Sequence, residues 1–165
     1  MRITLLSVGK TDDPLFEQII ASYRKKIGYF IPFEMTYVPD IKRRSLPEKE
    51  QAIREGEQLL KLLQPSDYVV LLDENGRQYT SADFADYLQK KMNMVGKRLV
   101  FIIGGPYGFS SGVYDAADEQ ISLSKMTFTH QMVRLLFTEQ LYRAMTILKG
   151  KPYHHDGSNN PTGRG

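Results

Sequence analysis

The sequence has 165 residues, of which 41% are hydrophobic, a formal net charge of +3 and no cysteine. This length and apolar content suit one domain with a single core, and no apolar run approaches the roughly 18 residues of a membrane span. The lack of cysteine excludes disulfides and thiolate metal sites. It also fits a reducing compartment, so we expect a cytoplasmic protein.

The first part of the sequence predicts a strand, a helix and a second strand. A buried strand covers residues 2–8. Asp13 is a good N-cap and Pro14 a good first helical residue, so a helix follows and ends at Gly28. Residues 33–38 then predict a strand.

The next part predicts a helix, a strand and a turn. Ser45 and Glu48 have the spacing of a capping box, which predicts a helix that runs to about Leu63. A clearly buried strand covers residues 68–73. Asn75-Gly76 is typical of a tight turn, after which the chain is predicted to pair back briefly.

The rest of the sequence continues the alternation. It predicts a helix that Thr80 or Ser81 caps, a strand over 99–103, a short helix after Ser110 or Ser111, a strand over 121–123 and a helix over 131–148. Such alternation predicts an α/β domain whose mostly parallel sheet has helices on both faces. We expect one domain over residues 1–156 and a disordered, low-complexity tail over 157–165.

Two loops predict a small-molecule site. The run Gly104–Gly108 directly follows a buried strand, and glycine lets a backbone approach a ligand closely. It matches neither a P-loop nor a dinucleotide fingerprint. The loop over 123–128 offers backbone N–H groups and apolar side chains. Strand ends of this kind favour a ligand site, although turns without a ligand remain an alternative.

The last helix and the segment after it carry further polar groups. Glu139 and Arg143 are four residues apart and are predicted to pair on one helix face. Tyr153 offers a stacking surface, and His154 can hold or move a proton near neutral pH. Both could instead be ordinary surface residues. Three histidines without a nearby carboxylate cluster predict no metal site.

Basic residues cluster at Arg24 and at Lys42, Arg43 and Arg44. We expect these side chains to face the phosphates of a nucleic acid, where each contact adds salt-dependent affinity. A solvated surface is the alternative interpretation.

Several motifs occur in an order that is specific as a set. They are Gly9-Lys10, Leu72-Asp73-x-x-Gly76, Ile103-Gly104-Gly105-Pro106-x-Gly108, Leu123-Ser124-x-Met126-Thr127-Phe128-x-His130, Glu139-Gln140-Leu141-Tyr142-Arg143-Ala144 and Pro152-Tyr153-His154. With these motifs, the sequence over residues 1–156 closely resembles the ribosomal RNA large subunit methyltransferase H family of the SPOUT class.

The resemblance implies a fold and an activity. The implied fold is the α/β-knot, a parallel sheet whose C-terminal part is tied in a deep trefoil knot, in a homodimer. The implied activity is methylation of N3 of a pseudouridine in a 23S rRNA stem-loop with S-adenosylmethionine. We expect the assembled ribosome to be the substrate, because the small domain has no separate RNA-binding module.

The resemblance also assigns residues. The implied cofactor contacts are Leu72, Gly104, Leu123, Ser124, Lys125, Met126, Thr127 and Phe128. Glu139, Arg143, Tyr153 and His154 match positions tied to substrate or catalysis, with His154 as general base or Arg143 as stabiliser of the anionic base. Two other hypotheses are a non-catalytic RNA- or nucleotide-binding protein and a phosphate- or flavin-binding enzyme.

Overall fold

The computed structural model of the chain describes residues 1–41 and 45–155. Lys42, Arg43 and Arg44, three of the four basic residues predicted to contact RNA, therefore lie outside the described residues. The predicted tail over 157–165 lies outside them too.

Five strands and five helices alternate along the described chain. They are β1 (Arg2–Val8), α1 (Pro14–Gly28), β2 (Phe33–Val38), α2 (Glu48–Lys61), β3 (Tyr68–Gln78), α3 (Ser81–Met94), β4 (Arg98–Ile103), α4 (Ser111–Ala116), β5 (Glu119–Ser122) and α5 (His130–Leu148). The strands form one sheet in the order β2-β1-β4-β3-β5, and each of its strand pairings is parallel. The predicted α/β class and parallel sheet are confirmed, and the trefoil knot stays a prediction.

Helices cover both faces of the sheet because successive strand residues point to opposite sides. Leu99, Phe101 and Ile103 of β4 pack with α1, α3 and α5 in one core. Val100 and Ile102 pack with α2 and α4 in the other. β4 is therefore buried on both faces, and a ligand can reach this strand only at its ends. Among the described helices, none is long and apolar enough to cross a membrane.

Side-chain N-caps mark the start of most of the helices. The side chain of Asp13 accepts a hydrogen bond from Leu15 N, and Thr80 caps α3 in the same way through Asp83 N. Thr129 caps α5 through Met132 N. The capping box predicted at Ser45 and Glu48 is wrong, because α2 begins at Glu48 itself and the residue before it, Pro47, offers no side-chain acceptor.

The turn predicted at Asn75-Gly76 is also wrong. Leu72 and Arg77 both pair with Ile121, so β3 continues past a four-residue insertion and stays parallel to β5. A Cβ on Gly76 would lie 2.6 Å from backbone atoms of Gln120 and Ile121. Glycine is therefore needed here for the close approach of two strands and not for a hairpin.

One ion pair ties the start of β4 to the loop after α2. Arg98 donates to both carboxylate oxygens of Asp67, at 2.9 and 2.6 Å, and to the carbonyl of Leu62. The side chains of Arg98 and Asp67 are only 11% and 1% exposed. Removing Asp67 would take away both of its short hydrogen bonds with the buried guanidinium and leave Glu34, 3.8 Å from Arg98, as the remaining carboxylate.

We predict that Asp67→Ala lowers the free energy of unfolding by about 3 kcal/mol, as expected when one member of a buried ion pair is removed. Urea denaturation measures this change. The control is Glu50→Ala, which breaks the exposed pair with Arg54 and should change stability by about 0.5 kcal/mol or less. Equal effects of the two substitutions would contradict a structural role for the buried pair.

Candidate active site

A cavity of about 320 Å³ opens at the carboxyl ends of β4 and β5 and at the insertion that follows Leu72 in β3. Because these strands are parallel, their carboxyl ends meet at one edge of the sheet, where α/β proteins commonly bind ligands. Seven of the eight residues predicted to contact a cofactor line it: Leu72, Gly104, Leu123, Ser124, Met126, Thr127 and Phe128. The eighth, Lys125, is exposed and does not line the cavity.

One wall of the cavity is acidic. The insertion in β3 brings Asp73 and Glu74 to its rim, where Tyr114 donates to Asp73 and Thr127 donates to Glu74 at 3.2 Å. Burial, together with the hydrogen bond to Asp73, raises the pKa of Tyr114 to about 12. The hydroxyl therefore stays protonated and keeps the carboxylate in place beside the cavity, where it can attract a cationic ligand.

The glycine loop after β4 rests on a buried carboxyl group. Glu55 of α2 is 3% exposed, and a Cβ on Gly105 would lie 2.6 Å from its Oε2. That oxygen has no hydrogen-bond partner among the described residues. Burial and the charge of Asp40 raise the pKa of Glu55, against a hydrogen bond with Gln51 that lowers it. A side chain at position 105 would therefore require the carboxyl group of Glu55 to shift.

His130 and Val133 bring the start of α5 to the cavity. Burial lowers the pKa of His130, and the positive charge of Arg134 one turn later lowers it further. A hydrogen bond with the backbone of Gly104 acts in the opposite direction. These influences favour a neutral ring at this end of the cavity.

Sequence reasoning did not assign a ligand role to several lining residues, among them Asp73, Glu74, Phe109, Tyr114 and His130. Asp73 ends the predicted strand over 68–73, and that position alone could have marked it. Tyr114 and Phe109 reach the cavity from α4 and the loop before it, and no local pattern reports that contact.

The four residues predicted to act in catalysis lie together in a second place. Arg143 donates to Oε1 of Glu139 through Nε and Nη2, at 3.1 and 2.6 Å. Tyr153 donates to the same oxygen at 3.1 Å, and its ring lies 4.8 Å below the Arg143 guanidinium. Nδ1 of His154 lies 3.3 Å from Nη1 of Arg143. We call these four residues the tail cluster.

Aromatic packing holds the tail cluster against α1. The rings of Tyr142 and Tyr153 meet edge to face at 4.7 Å, and the hydroxyls of Tyr23 and Tyr153 are 3.3 Å apart. Burial and the contacts with Tyr23 and Glu139 raise the pKa of Tyr153. The hydrogen bond with Glu139 raises the pKa of Arg143. Tyr153 therefore stays neutral and Arg143 stays charged at physiological pH.

The tail cluster does not reach the cavity of its own chain. No residue of the cluster lines the cavity. His130 and Arg143 are 13 residues apart on α5, which corresponds to about 20 Å along the helix axis. The structure thus brings the predicted cofactor residues together and the predicted catalytic residues together, but keeps the two groups apart within one chain.

Two other predictions concern RNA and metals. Arg24, the fourth basic residue predicted to contact RNA, is exposed on α1 and lines a separate groove. Within residues 1–41 and 45–155, no group of His, Asp and Glu has the arrangement of a metal site.

We predict that Glu55→Gln stabilises the protein, and more so at pH 8 than at pH 4.5. The raised pKa of Glu55 means that the folded state holds its proton more tightly than the unfolded chain, so the wild type loses stability as pH rises above the ordinary carboxyl pKa. Glutamine cannot ionise and avoids this loss. Melting temperatures across this pH range measure the difference.

Glu57→Gln is the matched control, since it removes the same charge from an exposed position of the same helix. It should change stability by no more than about 0.5 kcal/mol. A gain for Glu55→Gln that is equal at both pH values would show that ionisation of Glu55 is not its cause.

Comparison with known proteins gives one family. Residues 1–154 match the family described as "Predicted SPOUT methyltransferase". The chain is 58% identical to the ribosomal RNA large subunit methyltransferase H of Parabacteroides distasonis, over 94% of this chain and 100% of that protein. It is 56% identical to the protein of the same name from Christiangramia forsetii, over 94% of this chain and 99% of that one.

A solved structure is similar in fold. A probable methylase family protein from Haemophilus influenzae matches with a TM-score of 0.50 and 13% identity, over 94% of this chain and 70% of that one. At this level of identity the match concerns the fold alone. It agrees with the parallel α/β sheet described above.

Proposed function

The chain belongs to the SPOUT methyltransferase family, and we propose that it transfers a methyl group from S-adenosylmethionine to a pseudouridine of 23S rRNA. The observation that carries this proposal is the cavity at the insertion in β3 and the carboxyl ends of β4 and β5, which the family's loop motifs line. The finer assignment, to N3 of the base on the assembled ribosome in the cytoplasm, follows from the sequence resemblance.

The residues around the cavity fit this cofactor. The volume of the cavity is within the range of small-molecule sites, and the cavity walls combine apolar side chains with residues of two loops. Asp73 and Glu74 supply negative charge, which suits a ligand that carries a sulfonium and an ammonium group. When bound, S-adenosylmethionine supplies an activated methyl group, so the protein's main task is to position the acceptor.

The tail cluster supplies groups that can handle the target base. Arg143 holds a fixed positive charge, because Glu139 orients it and raises its pKa. Such a charge can stabilise the negative charge that develops on the base oxygens when the ring nitrogen loses its proton. Tyr153 offers an aromatic face beside that guanidinium, on which an unstacked base can pack.

The contact between Arg143 and His154 bears on the choice of a general base. A guanidinium only donates hydrogen bonds, so Nδ1 of His154 accepts in this contact. A neutral ring then carries its proton on Nε2 and presents a donor to the substrate. This supports Arg143 and His154 as joint stabilisers of the anionic base. His154 can act as the base only if the contact with Arg143 breaks.

The distance between the tail cluster and the cavity within one chain supports a site that two copies of the chain share. In an isologous dimer, two α5 helices that run antiparallel across the two-fold axis would bring the Arg143 end of one beside the His130 end of the other. Leu135 lies on the same stripe of α5 as Glu139 and Arg143, at four-residue spacing, and is half-buried in the single chain. We therefore propose a homodimer in which each tail cluster serves its partner's cavity.

Exposed apolar side chains support the same dimer. Leu15 and Ile19, one turn apart on α1, are 68% and 45% exposed, and Met126 in the loop before α5 is 74% exposed. Leu15 and Ile19 are neighbours on one face of α1, and large apolar side chains that are exposed side by side commonly mark an interface. α1 packs directly against α5 and would share the interface with it.

We predict that the chain cut after Gly150 binds S-adenosylmethionine but methylates at least about a hundredfold more slowly, because it lacks Tyr153 and His154. Mass spectrometry of rRNA nucleosides from ribosomes that lack the mark identifies the base, the position and the extent of methylation. Calorimetry measures cofactor binding. The chain cut after Asp156 is the matched control, since it keeps the tail cluster and should methylate normally.

Each outcome of that experiment is informative. Normal methylation by the chain cut after Gly150 would contradict the roles of Tyr153 and His154. Cofactor binding by the full chain without any methyl transfer would favour the non-catalytic RNA-binding alternative. Failure of the full chain to bind S-adenosylmethionine would contradict the proposed function itself.

We predict that two inactive variants complement each other. The first is Gly104→Val, whose side chain would enter the cavity and meet the ring of Phe109; the second is the chain cut after Gly150. Random mixing gives half mixed dimers, each with one intact shared site, so about a quarter of wild-type methylation should return. Sedimentation of each variant alone checks that it still dimerises. No recovery on mixing would contradict a site shared between two copies.

A further inference from the structure

A second groove opens between α1 and the edge strand β2, with a volume of about 200 Å³. Lys10 and Thr11, in the loop after β1, line it. Arg134 of α5 also lines this groove and is 2% exposed. None of the roles assigned above uses Arg134.

Arg134 is a buried cation that forms no ion pair with a carboxylate of the described residues. Its Nη1 donates to Thr11 Oγ1 at 3.0 Å and its Nη2 donates to the carbonyl of Val8 at 2.8 Å. Its Nε has no hydrogen-bond partner, and no described carboxylate forms an ion pair with it. Burial lowers the pKa of Arg134, which the charge of Asp12 opposes only in part. A buried charge of this kind is costly unless an anion compensates it.

The surroundings of Arg134 suit the phosphate of a nucleotide. Lys10 and Arg24 are exposed at the groove, and Glu17 is the one carboxylate among the described residues that line it. Thr11 adds a hydroxyl group. Tyr37, on the edge strand, is 51% exposed and offers a stacking surface for a base. A carboxylate from a protein partner could pair with the cations, but it would not stack on the aromatic face of Tyr37.

The position of the groove connects it to the cofactor cavity. Both lie at the carboxyl edge of the same parallel sheet, the groove beside β1 and β2 and the cavity beside β3, β4 and β5. His130 lines the cavity and Arg134, four residues later on α5, lines the groove. Side chains at this spacing are neighbours, about 6 Å apart. A nucleic acid strand whose target base enters the cavity can therefore place a nearby phosphate in the groove.

We infer that the groove is a phosphate subsite for the RNA substrate, with Arg134 as its buried anchor and Tyr37 as a platform for a neighbouring base. This inference rests on the proposed function and adds a specific backbone contact to it. Arg134 is a binding residue in this scheme and takes no part in methyl transfer.

The test measures KM and kcat for ribosomes that lack the mark, at several salt concentrations. Arg24→Gln should raise KM about three- to tenfold with kcat unchanged, and should reduce the slope of log KM against log salt by about one. Lys25→Gln is the matched control, because this neighbouring exposed lysine does not line the groove. It should leave both constants within about twofold.

Arg134 and Tyr37 give two further pairs of variants. Arg134→Gln should raise KM more than Arg24→Gln does, and Arg134→Lys should restore part of the loss because it keeps the charge. Tyr37→Ala should raise KM, while Tyr37→Phe keeps the stacking face and should not. Cofactor binding, measured by calorimetry, should be unchanged in all of them. If Arg134→Gln fails to fold, the variants at Arg24 and Tyr37 still decide the question.

Three outcomes would overturn the inference. In the first, the wild type methylates rRNA, but Arg24→Gln and Tyr37→Ala have the same KM and kcat as Lys25→Gln. Another is an Arg134→Gln variant that melts early and loses cofactor affinity with an unchanged salt slope, which would indicate a structural role. The third is weaker dimerisation with unchanged KM, which would indicate a carboxylate from the second copy. Failure of the wild type to methylate rRNA would instead contradict the proposed function.

Discussion

The parallel sheet, with its central strand covered on both faces, is the constraint on which the rest of the structure depends. Leu99 to Ile103 contact α1, α3 and α5 on one side and α2 and α4 on the other, so no ligand can approach the faces of β4. Only the ends of this central strand remain accessible. Because every strand runs in the same direction, the polar loops that follow them meet at one edge. The candidate cofactor cavity and the groove at Arg134 both lie at that edge, so one segment of the inferred RNA substrate could contact both.

Most elements could be predicted because their signals are local. Asp13 and Thr80 cap helices through contacts two or three residues away, and the apolar run of β4 reads as a buried strand without knowledge of its neighbours. The turn predicted at Gly76 is wrong because the reason for a glycine at this position is not local. Asn75-Gly76 has the sequence of a tight turn, whereas the residue is glycine because the backbone of β5 passes within contact distance. The strand order has no local signal either, since it depends on which strands pair across the sheet.

The residues of the candidate site also fall into two groups, those that local sequence patterns indicate and those that only the fold brings together. The loop from Leu123 to Phe128 and the Glu139–Arg143 pair are contiguous or periodic in sequence, so motif and spacing indicate them. The acidic wall requires an insertion in β3 and a tyrosine from α4 to meet, and the support of the glycine loop requires Glu55 from α2. The distance between the cavity and the tail cluster is a further property of the fold. Sequence motifs assign both groups to one activity, but only the structure shows that a single chain keeps them apart.

A comparison of three arginines shows how burial and pairing separate structural charges from charges available to a ligand. Arg98 is enclosed and has Asp67 as a bidentate partner, so its charge is used within the fold. Arg143 is partly accessible and paired with Glu139, which orients a guanidinium whose Nη1 also contacts His154. Arg134 is the most deeply buried of the three, and its described partners are a hydroxyl and a carbonyl group, neither of which carries charge. Among the described residues, the other two buried or half-buried guanidinium groups have carboxylate partners, and this difference is why we infer that Arg134 binds an anion from outside the chain. Arg134 is one turn from the cavity on α5, the helix that also carries Arg143. The same helix would therefore position both the target base and the RNA backbone beside the cavity.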